Sequence, residues 1–304
     1  MRTVIAGGTG LLGRPLATRL LAEGHDVVIL TRGSARAGGV ARARIVTWTP
    51  DGGTGSWAAE IDGASAVINL AGESIAGRRW SPSHKQRMRD SRLDATRSLV
   101  EAIRRASAPP PVFVSGSAVG YYGPHADEIV TEATPAGADF LASVCVQWEA
   151  EASRVTGLPT RLVCLRTGLV LDKNGGALPQ MLPPFKFGVG GPVGSGRQYW
   201  PWIHHDDWLA LVLWAIDTPH ASGPLNATAP VPVSNADFAR ALGRVLGRPA
   251  LLPMPALALR LLLGEMADAL LLSGQRALPA KAEHLGFPFR YPRIDDAMRA
   301  IFRD

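Results

Sequence analysis

The start of the chain constrains the fold most strongly, because an apolar segment there runs straight into a glycine-rich turn. Residues 4–6 have the composition of a buried strand, and Gly7, Gly10 and Gly13 follow at intervals of three residues. A turn of this kind between a strand and a helix is typical of nucleotide-binding folds, since the backbone can approach a pyrophosphate closely and the helix N-terminus offers it unpaired N–H groups. A purely structural turn is the alternative. The expected cofactor contacts here are Gly7, Thr9, Gly10, Leu11, Leu12 and Gly13.

The residues after the turn complete a βαβ unit. Residues 14–23 are amphipathic at helical spacing, Gly24 supplies a stop, and residues 26–30 form a second apolar strand. Thr31 and Arg32 then lie where an NAD-specific site places an acidic residue for the ribose 2′-hydroxyl. A guanidinium instead matches a 2′-phosphate with two hydrogen bonds, so the sequence favours NADP(H) as cofactor. The alternative is that Arg32 is an ordinary solvated loop residue.

Composition and charge argue against several other classes of protein. The 304 residues are 46% hydrophobic, enough for a large core in one elaborated α/β domain or in a domain with an added lobe. The formal charge of +6 comes from scattered basic residues, so we expect no nucleic-acid partner. Charged residues interrupt the apolar run 256–272, which indicates a helix or helix pair and no membrane span. With two cysteines and a strand at the N-terminus, we expect a cytoplasmic protein without a disulfide framework or signal peptide.

Strands and helices continue to alternate along the chain. A third strand is predicted at 44–48 and a buried parallel strand at 64–70. Because ligands bind at the carboxyl ends of such strands, Leu70, Ala71 and Gly72 are expected beside the cofactor. Ser81 and Pro82 predict the start of a long helix that continues to residue 106.

The next strand, 112–114, leads into serines and tyrosines at the same edge of the sheet. Ser115 is expected beside the cofactor, and Ser117 is a candidate catalytic residue because its hydroxyl can donate to a developing oxyanion. A serine at the end of a strand also serves as a turn or capping residue, which is the alternative. Tyr121 and Tyr122 are possible acids, but we expect them to line the pocket, as aromatic pairs more often do.

Several motifs together resemble the extended short-chain dehydrogenase/reductase superfamily. They are the glycine turn, Asn69-Leu70-Ala71-Gly72, Ser115-x-Ser117 with Tyr121-Tyr122-Gly123, Asp90-Ser91-Arg92, Trp148-Glu149, and Trp202-Ile203-His204-x-Asp206-Asp207. More narrowly, the chain resembles an atypical subgroup of NAD(P)-dependent epimerases and dehydratases with a C-terminal domain of unknown function, whose members are sometimes labelled cell-division inhibitors. The resemblance extends over essentially the whole chain, including the tail motifs Gly264-Glu265-Met266 and Gly286-Phe287.

The resemblance implies an α/β fold with a Rossmann-type doubly wound parallel sheet and a smaller C-terminal substrate lobe. Residues 1–165 would form the NADP-binding domain, completed by roughly 200–225, and residues 166–304 the substrate-side loop and lobe. Arg166 and Thr167 follow an apolar strand at the place where relatives bring the backbone against the nicotinamide. Residues 174–201, rich in glycine, proline and aromatic residues, predict a lid or binding loop, with a plain surface excursion as the alternative.

The chain departs from this family at the residues that perform catalysis. Ordinary members use a tyrosine that transfers the proton and a lysine four residues later that holds the ribose and lowers the tyrosine pKa. Counting back from Glu149, these positions hold Leu141 and Cys145, and neither supplies the missing chemistry. The helix asparagine of the usual tetrad is also absent, and Arg92 lies near its place.

The segment from His204 to Asp207 contains residue types that can bind a metal. His204, His205, Asp206 and Asp207 are consecutive, and neighbours on an extended strand point to opposite faces, so we expect no metal site but a corner where Asp206 or Asp207 caps the next helix. The first function is an NADP(H)-dependent oxidoreductase or epimerase acting on a small carbonyl, hydroxyl or nucleotide-sugar compound. The second is a non-catalytic NADP(H)-binding sensor or regulatory protein. An intact pocket built with residues 174–201 would favour the enzyme; substrate and oligomeric state stay open.

Overall fold

The computed structural model describes residues 1–33 and 40–303, in which strands and helices alternate as the sequence predicts. The strands are β1 Arg2–Ala6, β2 Asp26–Thr31, β3 Arg44–Thr47, β4 Ala66–Asn69, β5 Val112–Ala118, β6 Ile129–Val130, β7 Arg161–Thr167, β8 Leu169–Leu171, β9 Tyr199–Trp200, β10 Trp202–His204, β11 Gly223–Ala227, β12 Val233–Ser234 and β13 Arg276–Ala277. The helices are α1 Gly13–Ala22, α2 Pro82–Arg105, α3 Phe140–Ser153, α4 Leu178–Lys186, α5 His205–Asp217, α6 Asn235–Leu246, α7 Ala256–Leu263, α8 Glu265–Ala267, α9 Ala280–His284 and α10 Ile294–Phe302.

The largest sheet of the described residues has seven strands in the order β11-β7-β5-β4-β1-β2-β3, and every neighbouring pair is parallel. Strand order therefore reverses direction between β1 and β4, which is the switch point of a doubly wound sheet and the usual place of a ligand crevice. The predicted Rossmann-type α/β fold is confirmed.

Two apolar layers cover the faces of this sheet. One layer packs α1 and α5 against the sheet, with Leu16, Leu20, Trp208 and Leu211 fully buried. The other packs α2 against the sheet through Leu99 and Ile103, together with Trp57. Because both faces are covered, the central strands read as continuous apolar runs without alternation, which is why β1 and β4 are recognisable in the sequence.

Local signals set the start of the longest helix. The Ser81 side chain accepts a hydrogen bond from the His84 backbone N–H at 3.2 Å, and Pro82 occupies the first helical position. Both features match the prediction, because serine satisfies an unpaired N–H and proline has none to lose.

The C-terminal lobe has its own apolar core, in which α6 and α10 pack on each other and on Trp200 and Trp202. The apolar run 256–272 forms α7, α8 and a π-helical turn at Asp268–Leu272, so the prediction of a helix or helix pair is confirmed. No helix in the described ranges is long and apolar enough to cross a membrane.

Residues 174–201 contain more regular structure than a loop. Helix α4 lies within them, although Pro183 and Pro184 are inside it and Pro179 is in its first turn. The glycines and prolines of this stretch predict a loop, but packing of Leu178, Leu182 and Phe185 into the lobe core overrides that local signal.

Candidate active site and cofactor cleft

The glycine turn adopts the compact geometry that a bound diphosphate requires. Gly7 has φ +80°, and the Gly10 N–H donates to the Gly7 carbonyl at 3.0 Å. A Cβ atom on Gly13 would lie 2.3 Å from the Gly7 oxygen, and one on Gly7 would lie 2.7 Å from the Leu70 carbonyl. Side chains at these two positions would collide with backbone, so the turn demands glycine there.

The N-terminus of α1 faces the turn with its N–H groups free of side-chain caps. Its N-cap residue Leu12 makes no capping hydrogen bond, and the first turn contains no acidic residue. A ten-residue helix that starts this way presents a positive dipole end and unpaired donors to an anion. The geometry therefore fits the diphosphate of a dinucleotide.

The carboxyl end of β2 carries the residues predicted to select the cofactor. Thr31 is buried, whereas the Arg32 side chain is exposed and makes no hydrogen bond or ion pair with any described residue. An exposed guanidinium that no described residue pairs with is suited to a 2′-phosphate.

A cavity of about 1380 Å³ extends from the glycine turn, past the ends of β4, β5 and β7, into the C-terminal lobe. Among the predicted cofactor and catalytic residues, Gly7, Gly10, Leu11, Leu12, Gly13, Leu70, Gly72, Ser117 and Thr167 line it. Thr9 lines a smaller neighbouring cavity, and Thr31, Arg32, Ala71, Ser115, Tyr121, Tyr122 and Arg166 line neither. Residues of α4 and β9 complete the wall, so the stretch 174–201 does help to build the pocket.

Ser117 is held in a buried network that the sequence did not reveal. Its hydroxyl donates to Glu149 Oε1 at 2.6 Å, and Arg166 pairs with both oxygens of the same carboxylate at 2.8 Å. Burial opposes the charge of Arg166, but the hydrogen bond and charge of Glu149 outweigh it and raise the pKa of the guanidinium. A hydroxyl has one proton, so Ser117 offers lone pairs to the cavity, which differs from the predicted donation to an oxyanion.

The side chains of Arg166, Tyr121 and Tyr122 pack on one another, and none of the three residues lines the cavity. The Arg166 side chain is 3% exposed and stacks on the Tyr121 ring, 3.5 Å from its centroid, so it turns away from the cofactor cleft. Tyr122 is fully buried, and its hydroxyl donates to Asn226 Oδ1 at 2.6 Å. The expectation that both tyrosines line the pocket is wrong, because the buried guanidinium takes up their ring faces. Burial also raises the Tyr122 pKa to about 12, which makes it a poor acid.

The positions of the missing tyrosine and lysine both face the cavity. Leu141 and Cys145, on consecutive turns of α3, line it. Burial raises the Cys145 thiol pKa to about 12, and Glu149 adds to the effect, so the thiol is neutral.

Arg92 is the cation nearest to this place. It lines the cavity, is 9% exposed, and lies over the Trp148 ring at 5.2 Å. One nitrogen donates to the Met88 carbonyl at 2.8 Å, and no ion pair joins Arg92 to a carboxylate within the described chain. Burial lowers its pKa, against the opposing effects of Cys145 and Glu73, yet an arginine stays protonated at neutral pH. Arg92 is thus a buried cation with donors left for a ligand.

The His204 to Asp207 segment forms a helix corner with different roles from those predicted. His204 Nδ1 accepts from the Asp206 backbone N–H at 3.0 Å, so His204 itself caps α5. Asp207 instead accepts from the backbone N–H groups of Arg290 and Tyr291, at 2.9 Å each. The predicted aspartate cap is wrong. Burial lowers the His204 pKa to about 4, which keeps the ring neutral and able to accept this bond.

The chain is similar to known proteins over its whole length. The model of the NAD dependent epimerase/dehydratase family matches residues 3–227, and a domain of unknown function, DUF1731, matches residues 254–301. The chain is 41% identical to the epimerase family protein SDR39U1 homolog, chloroplastic, of Arabidopsis thaliana, over 100% of this chain and 87% of the relative.

Two solved structures over 30% identical resemble it along its whole length. The crystal structure of human epimerase family protein SDR39U1 (isoform 2) with NADPH has a TM-score of 0.91 at 35% identity, with 100% of both chains covered. A nucleoside-diphosphate sugar epimerase of Corynebacterium glutamicum has a TM-score of 0.80 at 33% identity, covering 100% of this chain and 59% of the other.

Proposed function

This chain belongs to the NAD dependent epimerase/dehydratase family, and from that premise we propose that it binds NADP(H) and transfers a hydride to or from a small carbonyl or hydroxyl compound. The observation that carries the proposal is the single cavity that joins the glycine turn to Ser117, Arg92 and the C-terminal lobe. Its volume of about 1380 Å³ exceeds the roughly 300–1,000 Å³ typical of a pocket for one ligand. It has room for a cofactor and a substrate side by side.

Three features support NADP(H) as the cofactor. The turn at Gly7 and Gly13 and the uncapped start of α1 suit a diphosphate, and the exposed Arg32 at the end of β2 suits a 2′-phosphate. A human relative at 35% identity was crystallised with NADPH. The described residues at the end of β2 include no carboxylate for a ribose 2′-hydroxyl, which disfavours NAD(H).

Arg92 takes over the electrostatic part of the missing tyrosine and lysine. When bound, NADPH supplies the hydride that reduces a carbonyl carbon, and the carbonyl oxygen then carries negative charge. Arg92 stabilises that oxygen, because a buried cation with free donors interacts strongly with developing charge. Ser117, fixed by Glu149, accepts a hydrogen bond from a substrate hydroxyl or bound water and so sets the orientation. The proton that completes the alcohol would come from a solvent water that enters the cavity, and the hydroxide left behind would be neutralised by the bulk solvent.

A non-catalytic NADP(H) sensor is the second candidate, since Leu141 and Cys145 replace the usual pair. The open cavity beside Ser117 favours the enzyme, because a sensor needs no room for a substrate next to the cofactor.

The test is stopped-flow oxidation of NADPH with a panel of ketones and aldehydes, using wild type, Arg92→Met and Ser117→Ala. We expect Arg92→Met to lower the rate about 10²-fold, as loss of one preorganised donor does, with little change in NADPH affinity. Arg87→Met is the matched control, because Arg87 is on the same helix but exposed. Full activity of Arg92→Met would remove Arg92 from the mechanism. No oxidation across the panel by wild type would favour the sensor.

A further inference from the structure

The far part of the cavity, beyond Ser117, has a character that defines the substrate more closely. Resting on the oxidoreductase function proposed above, we propose that the substrate is an apolar ketone or aldehyde, or the matching alcohol, without a phosphate group. We call this part of the cavity the apolar chamber. Its walls include Met181, Phe185, Phe238, Leu242, Leu259 and Leu270.

The apolar chamber is built by elements that meet only in the folded lobe. Helix α4 supplies Met181 and Phe185, helix α6 supplies Phe238 and Leu242, and Leu259 comes from α7. The π-helical turn at Asp268–Leu272 adds Ala269, Leu270 and Leu271, and such turns are frequent at functional sites. The carbonyl of Leu271 accepts from Gln198 Nε2 at 2.7 Å, which fixes this turn against the segment before β9.

The charged residues of the lining disfavour a nucleoside diphosphate as the substrate in the apolar chamber. Among the described residues that line it, the charged ones are Arg92, Glu73 and Asp139. Asp139 caps α3 by accepting from the Ala142 N–H at 2.7 Å. One cation and two carboxylates leave the lining with a net negative formal charge. A diphosphate in the apolar chamber would lose its hydration without a cationic side chain among the described residues of that wall, whereas the diphosphate of the cofactor has the N-terminus of α1 beside it.

The position of the cation also fixes the direction in which a substrate binds. Ser117 is near the end of β5, and the side chain of Arg92 on α2 lies against Gly72, just after β4, whereas the apolar chamber is in the lobe. A carbonyl group directed at Arg92 therefore leaves its hydrocarbon body among the leucines and phenylalanines. Burying that body contributes about 25 cal/mol for each Å² of apolar surface removed from water. This substrate class differs from that in the name of the Corynebacterium relative, a nucleoside-diphosphate sugar epimerase.

The experiment measures binding apart from turnover. The full-length protein saturated with NADPH is titrated with Nile red, a neutral fluorescent probe, and 2-decanone or UDP-glucose is added as competitor. The variant Met181→Lys places a cation in the apolar chamber at a partly exposed position where the long side chain can be accommodated. Leu257→Lys is the matched control, since Leu257 is 68% exposed on α7 and does not line the cavity. Thermal unfolding of each variant confirms that it is folded.

We expect 2-decanone to displace Nile red and UDP-glucose not to do so. Met181→Lys should weaken 2-decanone binding at least tenfold, and Leu257→Lys should leave it unchanged. Displacement by UDP-glucose at lower concentrations than 2-decanone would overturn the proposal. Loss of Nile red binding in Leu257→Lys would also overturn the proposal, because the probe would then bind on the outer surface of α7 and not in the apolar chamber.

The same titrations separate this inference from the proposed function. If 2-decanone binds in the chamber but no carbonyl compound oxidises NADPH, the substrate class stands and the oxidoreductase function fails. If NADPH is oxidised only by UDP-sugars or small polar carbonyls, the function stands and the apolar substrate is refuted.

Discussion

Removing the charge of Glu149 tests whether the buried network around Ser117 has the energetic role that its geometry indicates. Glu149→Gln keeps the side-chain volume and an acceptor for Ser117, but it leaves the Arg166 guanidinium, 3% exposed, without a counter-charge. Breaking a buried ion pair in this way costs about 3–5 kcal/mol. In a domain of slightly smaller size, each kcal/mol of lost stability lowers the melting temperature by roughly 2–4 °C. The melting temperature of Glu149→Gln should therefore fall by about 6–20 °C.

The double variant Glu149→Met/Arg166→Met tests whether the loss of stability comes from leaving one buried charge unpaired. Replacing both partners by apolar side chains of similar size is often neutral, so the double variant should unfold at a higher temperature than Glu149→Gln. Arg260→Met is the control, because Arg260 and Asp268 form a similar two-oxygen pair that is about half exposed, and its loss should not change the melting temperature measurably. Differential scanning calorimetry reports all three. The assigned role of the pair would be contradicted if the stability of Glu149→Gln were within about 1 kcal/mol of wild type. It would also be contradicted if the double variant unfolded at no higher temperature than Glu149→Gln.

Three further predictions concern the cofactor cleft. NADPH should bind at least tenfold more tightly than NADH, about 1.4 kcal/mol, and Arg32→Ala should remove the preference in calorimetric titration; equal affinities in wild type would contradict it. Cys145→Ala should keep turnover within a few-fold. Because burial raises the thiol pKa to about 12, wild-type Cys145 should react slowly with iodoacetamide at pH values far below 12. Rapid labelling of Cys145 at neutral pH would refute the neutral thiol. Gly13→Ala should weaken NADPH binding and lower the melting temperature, since its Cβ would lie 2.3 Å from the Gly7 oxygen, whereas Gly33→Ala, with open space at its Cβ, should melt like wild type.

The parts of the fold that could be predicted from the sequence are those set by short-range patterns. The strand and turn through Gly13 and the serine cap of α2 depend on residues within a few positions of one another. Continuous apolar runs gave β1 and β4 because both faces of the sheet are buried. Helix α4 is not predictable in this way, because its prolines favour a loop and the packing that nevertheless holds the helix is not a local property.

The catalytic surroundings could be predicted only in part, because they depend on contacts between distant segments. Glu149 is 32 residues from Ser117 and 17 from Arg166, and the sequence offered it only as part of a motif. A clue was present in Arg166 itself, since an arginine at the end of an apolar strand needs a buried partner. The sequence predicts an aspartate cap for α5 because aspartate is a common capping residue, yet burial keeps the His204 imidazole neutral and able to accept the bond.

The C-terminal segment packs against strand β11, and this contact limits how fragments or chimaeras of such proteins can be made. One carboxylate, that of Glu132, accepts from the backbone N–H of Asn226 on β11 at 3.0 Å and of Lys281 on α9 at 3.2 Å. Ala282 and Phe287 lie in the same apolar layer as α1 and α5. The two recognisable family segments are therefore not independent modules. A chimaera that exchanges the C-terminal lobe to alter substrate preference must also match Glu132 and the sheet surface under Phe287, and a fragment ending at residue 227 would leave that surface bare.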